Sequence, residues 1–365
     1  MEAFPFASDE PSADLLPVEE LADCAATVLG RDGKAILSYG PGAGYSPLRE
    51  LIASWFGTHP YNVVLTNGRL QGLTFLAQEL VRGRSAAVES PSDQRTIAAL
   101  LSSGGSLIYI SGDRDGMITT EIEQQLIQYV RPALICLNAG FGSPTGATLS
   151  LARRGHLLEV LGNFNRLGVE QLHLLEDDSF ALTRFEGERL PALYDLSGGA
   201  TLYSSSFSAS IAPGLRVGWL ILPNELAARV SERASSTYIS PGLLGQATVH
   251  EFIGRGALEP HLTRLRETLR TRRDAMLAAL AEHLPEASWS NPEGGYFVWL
   301  QLPEPLDGRA VVERAEGVTA AAGTEFGVTS GFLRLSYAAV PADEIPEGIA
   351  RLARAARELL GERAA

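Results

Sequence analysis

From about Gly40 onward, short apolar runs alternate with stretches that have the spacing of amphipathic helices. A run such as Leu134–Leu137 is apolar at every position, which is typical of a strand buried on both faces of a sheet. Helical stretches between such strands favour a parallel sheet covered by helices on both sides. The predicted strands are Tyr61–Thr66, Ser85–Glu89, Ser106–Ile110, Leu134–Leu137, Leu172–Glu176 and Thr201–Ser205, and the predicted helices among them include Gln71–Val81 and Leu149–Phe164. We therefore predict an α/β fold with a site at the carboxyl ends of its strands.

The two ends of the chain follow a different pattern. A helix is predicted at Val18–Leu29 near the start, and the last third carries two helical stretches, a strand-like segment and a final helix. These last elements are Leu243–Gly256, Pro260–His283, Gly294–Leu300 and Glu344–Leu360. We expect an N-terminal arm over residues 1–30 that contributes to the small domain or a dimer, a large α/β domain over 31–260, and a linking helix with a small α+β domain over 261–365.

Composition excludes several classes of function. The chain has 365 residues, 45% of them hydrophobic, which is enough for a substantial core and two domains. Its formal net charge of −13 argues against binding to nucleic acid. No stretch approaches the roughly 20 apolar residues of a membrane span, and the start has no signal-peptide pattern, so a cytoplasmic protein is expected. The two cysteines and six histidines show no metal-ligand spacing, and no metal site is predicted.

Seven short motifs occur in a characteristic order along the chain. They are Tyr39-Gly40 with Pro47-Leu48-Arg49, Thr66-Asn67-Gly68, Ser143-Pro144-Thr145-Gly146, Asp177-Asp178, the segment Ser206–Trp219, Gly294-Gly295-Tyr296, and Leu333-Arg334-Leu335-Ser336. Together they closely resemble the class I/II aminotransferases, fold type I enzymes that use pyridoxal phosphate (PLP), with 2-aminoadipate and aromatic aminotransferases as the nearest kind. The resemblance covers nearly the whole chain. It implies a large domain with a mostly parallel sheet, a small C-terminal α+β domain, and a site between them.

The resemblance assigns roles to four positions that keep the residue of the family. Asp177 matches the carboxylate that pairs with the pyridine nitrogen of the cofactor. Arg216 matches the arginine that grips the cofactor phosphate, a charge-assisted contact suited to a guanidinium. Arg334 matches the arginine that holds the substrate carboxylate. Tyr39 matches a tyrosine that reaches the phosphate of the neighbouring subunit, so a homodimer with shared sites is expected.

Other positions depart from the family. Ala209 stands where the family has the lysine that forms a Schiff base with the cofactor, and a methyl group can neither bond the aldehyde nor carry a proton. Ser143 and Phe180 replace an asparagine and a tyrosine that hydrogen-bond the ring hydroxyl. Asp93 replaces an aromatic residue that stacks on the ring, and Arg69 replaces a small hydroxyl residue in the phosphate-binding turn.

The resemblance also places Gly68, Ser206 and Ser208 among the residues that bind a cofactor or another anion. Arg69 can join them, because a helix N-terminus with a nearby arginine suits an anion. No covalently bound cofactor is expected. The sequence leaves PLP open only as a non-covalent ligand, or as the original cofactor if a lysine at position 209 has been replaced.

Two origins of Ala209 remain open at this point. A laboratory Lys→Ala change would explain why the flanking motif is intact. Natural loss would explain the four other departures at cofactor-contacting positions, which an engineer has no reason to make. These departures favour natural loss.

The leading functional hypothesis is a divergent enzyme that acts on an amino acid or a similar carboxylate without an internal PLP aldimine. Asp93 and Asp177 are the predicted catalytic residues, because paired acids can act as proton donor and acceptor and would favour a cationic intermediate. A condensation, cyclisation or elimination would fit such a site. Two alternatives stay open: a PLP-dependent aminotransferase inactivated by a Lys-to-Ala change at 209, and a non-catalytic ligand-binding protein that kept only the fold.

Overall fold

The fold is known from a computed structural model that describes residues 4–128, 131–168 and 171–364. Its strands in chain order are β1 (Phe4–Pro5), β2 (Val63–Asn67), β3 (Ser85–Ser90), β4 (Ser106–Asp113), β5 (Gly116–Met117), β6 (Leu134–Asn138), β7 (His173–Asp177), β8 (Leu202–Ser206), β9 (Val217–Ile221), β10 (Ser288–Trp289), β11 (Phe297–Gln301), β12 (Val318–Thr319), β13 (Ala321–Ala322) and β14 (Phe332–Ser336).

Helices account for most of the remaining chain. They are α1 (Val18–Ile36), α2 (Ser46–Trp55), α3 (Arg69–Leu80), α4 (Gln94–Leu101), α5 (Thr119–Ile127), α6 (Leu151–Arg166), α7 (Leu193–Leu196), α8 (Asn224–Tyr238), α9 (Leu243–Gly254), α10 (Leu258–His283), α11 (Gly308–Arg314) and α12 (Ile345–Ala364). None of the helices in the described ranges is long and apolar enough to cross a membrane.

Eight strands form one large sheet in the order β2-β9-β8-β7-β6-β3-β4-β5. The pairs within β4-β3-β6-β7-β8 are parallel, and β9 runs antiparallel to both β8 and β2. Consecutive residues of a central strand enter cores on opposite faces, since Ala86 and Val88 pack in one cluster and Ala87 in the other. The predicted α/β class with a mostly parallel sheet is confirmed.

A second, antiparallel sheet in the order β10-β11-β14-β13 packs with α10 and α12 around its own core. The N-terminal segment belongs to this core, because β1 pairs with β12 and Phe6 is fully buried in the same cluster. Helix α1 lies elsewhere and packs against α9.

Helix α1 is longer than predicted. It continues from Leu29 to Ile36 through Gly30 and Gly33, each of which costs a helix about 1 kcal/mol. Val28 and Ile36 repay that cost by packing against α9 in a shared buried cluster. Lys34, the only lysine of the sequence, therefore lies exposed in the last helical turn.

Candidate active site

A cavity of about 730 Å³ opens where several strands of the large sheet end. Asn138, Asp177 and Ser206 are the last residues of β6, β7 and β8, and all three line it. Parallel strands bring their carboxyl ends to one edge of a sheet, so residues distant in sequence meet there. Phe297, the first residue of β11 in the small sheet, and Tyr296 before it also line the cavity.

Arg69 lies at the centre of the charged groups in this cavity. Its Nη1 is 2.8 Å from Oδ2 of Asp177, and its Nη2 is 3.3 Å from Oδ2 of Asp93. The side chain of Asp177 is only 7% exposed and that of Arg69 is 19% exposed. Burial works against the charge of Arg69, yet the carboxylates of Asp177 and Asp93 raise the pKa of its guanidinium. The two predicted catalytic acids are thus brought together, with an arginine between them.

The elements explain how these three side chains converge. Arg69 is the first residue of α3 and is separated from β2 by Gly68 alone, and Asp93 caps α4, where its carboxylate accepts a hydrogen bond from the backbone N–H of Arg95. Asp177 is the last residue of β7 and also accepts a hydrogen bond of 2.7 Å from the hydroxyl of Ser179. Helices α3 and α4 pack against each other, which holds the arginine and the capping aspartate in one place.

Gly68 and Arg216 meet at the same end of the cavity. Gly68 has φ +88°, and a Cβ there would lie 2.3 Å from Nη2 of Arg216, so only glycine fits. Arg216 has a left-handed backbone (φ 54°) and donates to the carbonyls of Pro213 and Asn67, each at 3.2 Å. It lines the cavity as an exposed cation.

Ala209 lies in the turn after β8 and lines the cavity. It is 8% exposed, and its carbonyl accepts a 2.6 Å hydrogen bond from the buried hydroxyl of Tyr296. Burial raises the pKa of Tyr296 above its ordinary value. Ser206 and Ser208 flank this turn, and the backbone N–H of Ser208 donates to Oγ of Ser206 at 3.4 Å.

Arg334 is buried on the small-domain side. Its guanidinium contacts the rings of Phe297 at 4.3 Å and Phe326 at 5.2 Å. Nη1 donates to Oγ of Ser143 at 3.0 Å and lies 2.5 Å from Oδ1 of Asp9. Burial lowers the pKa of Arg334, and Asp9 opposes that shift.

Two predicted site residues have different surroundings. Phe180 lines the cavity and packs edge-on against Tyr296 and Phe297, with ring centroids 5.3 and 5.8 Å apart. Tyr39 is 79% exposed and does not line the cavity of its own chain. The predicted site residues line the cavity, with three exceptions: Gly68 and Arg334 lie against side chains that do so, and Tyr39 has its predicted place in a partner's site.

The sequence analysis missed several polar residues in and beside the site, among them Glu89, Asn138 and Asp9. Glu89 ends the predicted strand Ser85–Glu89 and Asn138 follows Leu134–Leu137, so the rule that sites lie at strand ends would have found both. Burial raises the pKa of Glu89 to about 7, against hydrogen bonds donated by the backbone N–H and Nδ2 of Asn138. Asp9 gave no such signal, because it lies in an irregular segment far from the strands in sequence.

The fold agrees with comparisons to known proteins. The profile of the family described as aminotransferase class I and II matches residues 5–352. The chain therefore belongs to the class I and II aminotransferases, as its motifs predicted. The family depends on PLP. No group of side chains that could hold a metal ion occurs in the described parts of the chain.

Individual relatives lie at moderate distance. The chain is 32% identical to a 2-aminoadipate transaminase of Thermus thermophilus over 97% of this chain and 90% of that protein. It is 28% identical to aromatic-amino-acid aminotransferase 1 of Thermococcus litoralis over 95% of this chain and 86% of that one. The structure of the Thermus thermophilus alpha-aminoadipate aminotransferase, in complex with N-(5'-phosphopyridoxyl)-L-leucine, superposes with a TM-score of 0.92, at 32% identity, covering 98% and 93% of the two chains.

Proposed function

We propose that this protein is an enzyme of the aminotransferase fold that acts on an amino acid or a similar carboxylate without covalently bound PLP. The observation that carries the proposal is the ion pair between Arg69 and Asp177. In the family this aspartate faces the pyridine nitrogen of the cofactor. Here its carboxylate already binds a guanidinium that reaches it from the first residue of α3.

The residues of the cavity do not fit PLP in the manner of the family. The guanidinium of Arg69 lies against the two acids that would have to contact the ring, Asp177 and Asp93. The side chain at position 209 is a methyl group, and the only lysine of the sequence is exposed on α1. A pyridine ring bound as in the family would require Asp177 to be released from its ion pair and the side chain of Arg69 to move away. We therefore assign no chemical step to the cofactor.

The charge distribution suits a substrate with an ammonium group and a carboxylate. Around Arg69, two carboxylates face one guanidinium, which leaves an excess of negative charge beside the cavity. Arg216 supplies positive charge at another wall, and the buried Arg334 lies behind the lining residues Asp9 and Ser143. An α-amino acid can place its ammonium group near Asp93 and Asp177 and its carboxylate on an arginine.

Asp93 and Asp177 are the proposed acid and base groups. They can accept a proton from the substrate and stabilise a cationic intermediate such as an iminium ion, because the excess charge around Arg69 is negative. Such an intermediate occurs in condensations, cyclisations and eliminations of amino acids. We therefore favour one of these reaction types over transamination.

A homodimer completes the proposal. Tyr39 lies on an exposed segment with Leu37, also exposed, and neither faces the cavity of the same chain. We propose that a second copy covers this segment and receives Tyr39 at its own anion site. The side of the cavity with Gly68 and Arg216 would then be shared between two chains.

A second candidate is an aminotransferase disabled only at position 209. It is favoured by the 32% identity to a 2-aminoadipate transaminase across nearly the whole chain. The variant Ala209→Lys restores the amine but keeps Arg69 on Asp177, whereas Ala209→Lys with Arg69→Ser removes both differences. PLP titration followed by visible absorbance, and assays with amino acids paired with 2-oxo acids, would separate the two candidates.

Our proposal expects the native protein to bind no PLP and Ala209→Lys alone to show no transamination. Arg69→Ser alone is the matched control for loss of the ion pair. Stoichiometric PLP binding by the native protein, or turnover by Ala209→Lys, would establish the second candidate instead.

A further inference from the structure

The N-terminal segment crosses the cavity between two fixed points. Phe6 is fully buried in the small-domain core, and its carbonyl accepts a 2.8 Å hydrogen bond from the backbone N–H of Ser336. Further on, the N–H of Ser12 donates to the carbonyl of Ala338 at 2.9 Å. The residues between these points, Ala7–Glu10, line the cavity. We call residues 7–11 the strap.

Asp9 of the strap places its carboxylate on two arginines of different elements. Oδ1 lies 2.5 Å from Nη1 of Arg334 on β14, and Oδ2 forms an ion pair with Nη2 of Arg95 on α4. Arg334 also donates to the carbonyl of Ala7 at 2.8 Å. An external carboxylate would make the same kind of contact with this pair of arginines, because each of its oxygens can accept from one guanidinium.

The fit of Asp9 to Arg334 is incomplete. Nε of Arg334 is buried and has no hydrogen-bond partner within the described parts of the chain. The side chain of Arg334 is only 4% exposed, so bulk water does not reach this donor freely. A buried donor left without a partner is costly, and most such groups in proteins are satisfied. The rings of Phe297 and Phe326 hold the guanidinium, so it cannot turn to use its free donor. An untethered carboxylate can satisfy Nε together with a terminal nitrogen.

We propose that Asp9 is an internal occupant of the substrate-carboxylate site, that an external carboxylate displaces it from Arg334, and that Arg95 is a second arginine of this site. The inference rests on the proposed function, which places a carboxylate substrate in this cavity. It adds that the strap competes with the substrate and sets the affinity of the site. The ligand must therefore carry a carboxylate that is free to enter past residues 7–11.

The size of the effect follows from competition. An internal group that fills a site nine-tenths of the time weakens the apparent affinity for an external ligand roughly tenfold. Asp9→Asn keeps the shape of the side chain but removes its charge, so the strap should leave the arginines more often. We expect Asp9→Asn to lower the Kd for a carboxylate by about tenfold for this reason.

The test is calorimetric titration of the full-length protein with glutarate, using glutaramide, which lacks both carboxylates, as the ligand control. Glu10→Gln is the matched comparison, since Glu10 also lines the cavity but forms no ion pair in the described structure with either arginine, so it measures the general effect of one fewer negative charge on anion binding. The proposal expects a larger gain in glutarate affinity for Asp9→Asn than for Glu10→Gln, and weaker binding when Arg95→Gln is added to Asp9→Asn. A gain for Asp9→Asn no larger than that for Glu10→Gln would overturn the role of Asp9, and unchanged binding on adding Arg95→Gln would overturn that of Arg95.

Amide hydrogen exchange gives a second measurement that does not depend on the variants. Glutarate should speed exchange in residues 7–11 of the native protein, because displacement frees the strap; protection of the strap would contradict displacement. Equal glutarate binding by native protein and Asp9→Asn would refute the competition alone and leave the carboxylate site of the proposed function standing. Absence of glutarate and amino acid binding in every variant would refute both.

Discussion

Replacing Arg69 by leucine should destabilise the protein through the acid that it leaves behind. Asp177 has a side chain that is 7% exposed, and Arg69 is the only cation recorded within ion-pair distance of it in the described structure. Breaking a buried ion pair by removing one partner costs about 3–5 kcal/mol, because the remaining charge is uncompensated. The 19% exposure of Arg69 lets water reach part of the pair and favours the low end of that range, about 3 kcal/mol.

This free energy converts to a measurable change in melting temperature. At about 2.1 cal/mol/K per residue, the unfolding entropy of 365 residues is roughly 0.8 kcal/mol/K, so a loss of about 3 kcal/mol lowers Tm by roughly 4 °C. The loss of stability in Arg69→Leu should become smaller as the pH falls, because protonation of the unpaired Asp177 carboxylate removes its charge. Differential scanning calorimetry across a pH series measures both quantities.

Two further variants make the experiment decisive. Arg69→Leu combined with Asp177→Asn should recover most of the stability, since no uncompensated buried charge remains. Arg264→Leu is the matched control, because Arg264 pairs with Glu20 at the surface, where such a pair contributes at most about 1 kcal/mol. A loss of stability for Arg69→Leu no larger than that for Arg264→Leu, or no rescue by Asp177→Asn, would refute the uncompensated charge as the cause.

Three other outcomes are expected. After borohydride reduction of the protein with PLP, intact mass should show no stoichiometric adduct, because position 209 carries no amine. The variant Lys34→Arg controls for reaction at the surface lysine. A stoichiometric adduct that persists in this variant would contradict the absence of a Schiff base in the site. Light scattering at micromolar concentration should give a dimer, and a monomer would refute the shared site at Tyr39. Because the pKa of Glu89 is raised from 4.5 to about 7, its contribution to stability should be lost as the pH rises through that window. Glu89→Gln should flatten the pH dependence of unfolding there, and an unchanged slope would reject this assignment.

Much of the fold could be predicted because apolar runs and helical spacing report burial directly. Leu134–Leu137 enters the sheet as β6, and the predicted Leu172–Glu176 corresponds to β7 with a shift of one residue. The end of α1 was missed by seven residues, because its last turns depend on packing against α9, which no local pattern records.

Much of the candidate site could be predicted from the family motifs, which named Arg69, Asp93 and Arg216, and the structure places all three at the cavity. Asp177 and Ser206 also end strands, so the rule that sites lie at strand ends agrees with the motifs there. The partner of Asp177 was not foreseen, since an arginine at the start of a helix can point to solvent, to an anion or to an acid. The contact of Asp9 with Arg334 spans more than 300 residues of sequence and depends on how the N-terminal segment joins the small-domain core.

The position of Lys34 has a practical consequence for studying this protein. It is the one lysine among 30 basic residues, and it lies exposed in the last turn of α1. Amine-reactive dyes can therefore modify one side chain, besides the α-amino group of the chain, without protection of the cavity, whose cations are arginines. A fluorophore on α1 and a second one introduced on the strap would report the distance between them during ligand binding, in a protein that needs no removal of competing lysines.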